Sequence, residues 1–84
     1  MLNPIEKRKI VLSALSKIYD MVVDRTNVSE HIGDDYLTKS KDISNDSDTA
    51  DYYREQAERT AIKIKTYNDI LDMLKDMAED INID

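Results

Sequence analysis

Nine positions in the second half of the chain hold unbroken coiled-coil spacing. Tyr53, Ala57, Thr60, Ile64, Tyr67, Leu71, Leu74, Ala78 and Ile81 follow one another in alternating steps of four and three. Thr60 is the one polar member, and its methyl group can pack. Such a line runs along one side of a long helix and must be covered by another helix. The spacing therefore predicts helix against helix before any other property of the chain is considered. Glycine–proline punctuation between short alternating segments is missing, so a sheet is not expected.

A first helix announces its start at Asn3-Pro4-Ile5-Glu6. Asn3 suits the N-cap, proline the first helical position and Glu6 the third, a capping-box arrangement. Ile5, Leu12, Leu15, Tyr19 and Val22 line one face, widened by Val11, Ile18 and Val23. A second apolar line, Ile10, Ala14, Met21, Val28 and Ile32, runs on nearly the opposite side. One stripe docks a helix on one neighbour, and two suggest a helix held between two neighbours. Gly33, the single glycine, is placed where a left-handed C-cap would be wanted, so the helix is expected to span about 4–32. Residues 33–47 then read as an acidic connecting loop anchored by Tyr36, Leu37 and Ile43. The second helix opens in Asp46-Ser47-Asp48 and runs from about 48 to 81 without glycine or proline.

The two helices nearly match in length, roughly 43 Å against roughly 50 Å at about 1.5 Å per residue, as a hairpin requires. Lys7, Arg8 and Lys9 at the start of the first fall beside Asp76, Glu79 and Asp80 at the end of the second if the pairing is antiparallel. Each group is unfavourably placed against its own helix dipole and is relieved by the other. The expected fold is all-α: one domain over residues 1–84, a long antiparallel hairpin. A chain of 84 residues arranged as two helices buries little core, and with no cysteine it has no disulfide to hold it. Self-association is therefore expected, most simply as a dimer forming a coiled-coil-like four-helix bundle. Ile10, Ala14 and Met21, with Ile70, Met73 and Met77 beside the second seam, are the candidate interface.

Charge and composition exclude more than they assign. The net charge is −6, and residues 27–51 carry two bases against seven acids. Direct nucleic-acid binding needs concentrated basic surface and is not expected. One histidine and no cysteine rule out imidazole or thiolate metal clusters. The run Asp42-x-Ser44-x-Asp46-x-Asp48 lacks the glycine and the twelfth-position glutamate of a calcium loop, since Ser47 and Tyr53 stand there. No cofactor is expected. Nothing near the start reads as a signal peptide, because Ser13 breaks Ile10-Val11-Leu12, so a cytoplasmic protein is expected.

What remains is a non-enzymatic interaction module: a small acidic accessory or regulatory protein of the kind phages and mobile elements encode. A partner with a basic surface is expected at the loop end, through Asp34, Asp35, Tyr36, Asp46, Asp48, Tyr52 and Tyr53. Two alternatives stand beside it. One is an acidic inhibitor that mimics nucleic acid. The other rests on Glu55-x-x-Glu58 and Asp69-x-x-Asp72, which resemble the Glu-rich helices of small all-α nucleotide pyrophosphohydrolases. That resemblance implies Mg²⁺ held around a phosphate.

Overall fold

The computed structural model describes residues 2–82. Two helices, α1 (Pro4–Ser40) and α2 (Ser47–Asn82), pack against each other as a hairpin 65 Å long and about one helix pair across. Asn3 caps α1, its Oδ1 accepting from the Glu6 amide at 2.8 Å, with Pro4 at the head of the helix.

The nine seam positions of α2 are all buried or half-buried, in the order the spacing predicted. The matching seam on α1 is longer than the apolar pattern implied. Arg8, Leu12, Leu15, Tyr19, Val22, Thr26, Ser29, Gly33, Tyr36 and Ser40 keep the same alternating steps, and every one is buried or half-buried. Ile5 is mostly exposed, and Val11 and Ile18 are exposed as well, so the buried stripe is narrower than expected. Among the described residues, the most buried are Leu15, Ala57 and Leu74 with Thr26, Ser29, Gly33 and Thr60.

Expectation and structure part at Gly33. The helix does not end at Ile32; it runs on to Ser40, and the turn occupies residues 41–46 rather than 33–47. Gly33 is helical, with no positive φ, and serves close packing instead of capping. A Cβ built on it would lie 3.2 Å from Thr60 Cγ2. Gly33 faces Thr60 and shares a groove with Ala57, and Thr26 and Ser29 continue the same seam as small buried residues. The threonine hydroxyls are accommodated within the helices: Thr26 Oγ1 donates to the Val22 carbonyl and Thr60 Oγ1 to the Gln56 carbonyl, both at 2.8 Å.

The turn is built from side chains. The Lys39 carbonyl accepts from the Asp42 amide at 3.2 Å and from Asn45 Nδ2 at 2.6 Å, which closes the end of α1. Asp42 Oδ1 accepts from the amide (2.9 Å) and hydroxyl (2.7 Å) of Ser44. Asp46 caps α2, its Oδ1 accepting from the Thr49 amide at 2.7 Å.

Candidate functional site

With the seam fixed, the remaining positions of each helix divide into two broad faces of the hairpin and two outer edges. In an antiparallel pair, positions just before the seam on α1 lie beside the corresponding positions on α2. Three shallow grooves mark the two sides. Pro4, Lys7 and Val11 line one with Asp80. On the opposite side, Ser16 shares a groove with Lys75, and Leu37 shares one with Ala61.

The two faces differ sharply. Among the described residues, eight exposed large apolar side chains fall on the Val11 face: Val11, Ile18, Met21, Val28, Ile32, Tyr52, Met73 and Met77. Leu37 is the one on the other. Along α1 the exposed set has a register of its own: Val11, Ala14, Ile18, Met21, Arg25, Val28 and Ile32 step three and four throughout, with Arg25 the single polar member. Met21 is 63% exposed and Val28 57%. This is a second coiled-coil seam, turned about a quarter of the way round the helix from the first.

Charge divides the same way. The Val11 face carries five bases, Lys7, Arg25, Lys39, Arg59 and Lys63, against two acids, Asp35 and Asp80. The Leu37 face carries eight acids, Glu6, Asp20, Glu30, Asp34, Asp51, Glu58, Asp72 and Glu79, against four bases, Lys9, Arg54, Lys65 and Lys75. An acidic protein thus keeps one apolar and locally cationic face and one polar, anionic face. Sequence reasoning found Ala14, Met21, Ile70, Met73 and Met77 and grouped them as interface; all five fall on the apolar face, Ile70 half-buried. It placed Ile10 with them, but Ile10 sits on the outer edge of α1. It assigned Val11 and Ile18 to the intrahelical-pair core. The signal that separates these residues is the shift of one position in the three–four register.

At the loop end the predicted residues are brought together, yet several are engaged in structure. Tyr36 and Tyr53 are half-buried with ring centroids 6.3 Å apart, and Tyr52 meets Tyr53 edge-on at 5.5 Å. Lys39 Nζ lies 5.9 Å from the centre of the Tyr53 ring and 3.0 Å from Asp35 Oδ2. That ion pair raises the Lys39 pKa above its ordinary value. The Thr49 side chain and amide hold the Asp46 carboxyl below the usual aspartate range, and the Ser44 amide and hydroxyl do the same to Asp42. Asp34 and Asp48 remain exposed on the surface.

The carboxylate pairs of α2 are spread on its outer surface. Glu55 pairs with Arg59 at 2.7 Å and Asp69 with Lys65 at 3.7 Å. Among the described residues, no group of three His, Cys, Asp or Glu side chains is placed to hold a metal ion. No described helix is long and apolar enough to cross a membrane. No protein-family model, curated protein or solved structure matches the chain.

Proposed function

We propose that this protein is a non-enzymatic protein–protein interaction module, a small cytoplasmic accessory or regulatory protein that works by helix packing. The observation that carries the reading is the division of exposed apolar side chains, eight on one face of the hairpin and one on the other. A patch of that size on a small soluble chain marks an interaction surface. Its three–four register favours a helical counterpart over a small ligand. The hairpin self-associates through this face, as a dimer forming a four-helix bundle, and its acidic loop end is left to meet a basic partner.

Sedimentation equilibrium at micromolar concentration tests the reading. The wild type is expected to sediment as a dimer of the 9.7 kDa chain. Met73→Glu with Met77→Glu is expected to give a monomer of unchanged helix content, because both side chains are exposed in the hairpin. A wild type that stays monomeric throughout overturns self-association. Metal-dependent hydrolysis of a nucleoside triphosphate, lost with Glu55→Gln and Glu58→Gln, would overturn the non-enzymatic reading.

A further inference from the structure

The two helices do not contribute equally to the apolar face, and the inequality selects an orientation. On α1 the exposed seam runs from Val11 to Ile32, roughly 32 Å at 1.5 Å per residue. On α2 the apolar stretch is Ile70, Met73 and Met77, with Tyr52 alone near the turn, and between them lie the bases Arg59 and Lys63. If α1 of one copy lay on α2 of another, Val28 and Ile32 would rest on those bases. If α1 lay parallel on α1, Lys7, Arg25 and Asp35 would each meet their own like. Running α1 antiparallel to α1 takes Val28 and Ile32 off those bases and parts the like charges, leaving Ile18 beside Arg25 and Met77 beside Lys63.

Resting on the self-associating reading above, we infer that two copies stack face to face with their turns at opposite ends and Met21 beside the twofold axis. Val11 then meets Ile32 of the second copy, and Ala14 meets Val28. Lys7 meets Asp35, an opposite charge that Lys39 of its own chain already pairs, so Lys7 joins that ion pair from across the interface. On α2, the same rotation carries Arg59 to Asp80 of the second copy and Lys63 to the level of its Met77. The interface is isologous, so each of these contacts occurs twice. A footprint of roughly 32 Å by two helix widths of about 10 Å removes roughly 1,300 Å² in total, within the range of specific interfaces. A lipid surface would impose no such register. The chain also has no Trp or Phe, the residues that bury most in a membrane interface. The assembly is a rod with an anionic face on each side and one turn at each end.

The absence of cysteine makes single-cysteine reporters free of background. Spin labels on Ile43→Cys, a fully exposed turn position, measure the distance between the two turns. With 22 residues of helix and turn from Met21 to Ile43 on each side, the inferred dimer gives about 65 Å. Turns at the same end give a short distance, under about 30 Å, across two helix widths. Met21→Cys is expected to form a disulfide-linked dimer under mild oxidation. Arg59→Glu is expected to weaken the dimer about tenfold, and adding Asp80→Lys is expected to restore it. These two positions are far apart within one hairpin, so rescue reports a contact between copies. A dimer with a short turn-to-turn distance, or with no rescue, overturns this inference and leaves self-association standing. A chain that is monomeric overturns both, whether or not it floats with anionic vesicles.

Discussion

Gly33 offers the sharpest test of the packing. Glycine inside a long helix is disfavoured by about 1 kcal/mol relative to alanine. Gly33→Ala should therefore stabilise α1 if nothing stands in the way. The added Cβ would lie 3.2 Å from Thr60 Cγ2 and 3.7 Å from Thr60 Cβ. Carbon pairs prefer about 3.5–4.0 Å, so the helices must part by a few tenths of an ångström or Thr60 must turn. Turning is resisted, since the Thr60 hydroxyl is bonded to the Gln56 carbonyl at 2.8 Å. Overpacking of this kind costs about 1–3 kcal/mol, so the single substitution should fall between neutral and about 2 kcal/mol destabilising. Thr60→Ser removes Cγ2 and keeps the hydroxyl. In that background Gly33→Ala should recover its full helix preference of about 1 kcal/mol. A double-mutant cycle should then show a coupling of about 1–3 kcal/mol. Urea unfolding followed by far-ultraviolet circular dichroism measures all four proteins, at one chain concentration because association shifts the midpoint. If Gly33→Ala stabilised both backgrounds by the same amount, the close approach of the two helices at this level would be refuted.

Three further outcomes are expected. Leu74→Ala, at a buried seam position, should cost about 2–5 kcal/mol, whereas Leu37→Ala on the anionic face should cost much less; equal losses in chemical unfolding would mean that the seam is misplaced. Asp46 and Asp42 have folded-state pKa values below their ordinary ones, so their contribution is present above an unfolded value of about 3.9 and is lost as pH falls through the folded value. Unfolding midpoints should thus fall on acidification below about pH 4, and Asp46→Ala, which removes the cap, should lower the midpoint at neutral pH and flatten part of that fall. Reversing Asp34 and Asp48 to Lys spares both the Asp46 cap and the Asp35–Lys39 pair; stopped-flow mixing with a basic partner should show slower association at low salt and no change in helix content.

Much of the hairpin was legible because its seam in α2 is apolar and regular, and because Asn3-Pro4 is an explicit helix start. The end of α1 was not. Its seam from Thr26 to Ser40 is Thr, Ser, Gly and Ser around the single Tyr36, mostly residue types whose local preferences speak for turns and caps. Tertiary packing overrode those preferences, since at Gly33 the helices come so close that an added Cβ would lie 3.2 Å from Thr60 Cγ2. The matching lengths of the two helices held the missing clue, because a helix ending at Ile32 would leave Tyr53 and Ala57 uncovered. The candidate surface was half legible for a related reason. Met21, Met73 and Met77 stand clear of the seam, but Val11 and Ile18 lie next to it, and hydrophobicity alone cannot tell a flank that is buried from one left open.

The short turn also orders the assembly of the hairpin in time. Each layer of the antiparallel seam closes a longer stretch of chain than the layer nearer the turn, so the Tyr36–Tyr53 contact closes one of the shortest loops and the pairing of Leu12 with Ala78 one of the longest. The layers formed first are the ones lined by Gly33, Thr60 and Ala57, which bury little apolar surface, while Leu15 and Leu74 come later. The chain therefore climbs through a weakly rewarded stage before the well-packed half closes, and its barrier should lie there. Kinetic analysis should find that Tyr36→Leu mainly slows folding and that Leu74→Ala mainly speeds unfolding. The opposite pattern would mean that the ends meet before the turn does.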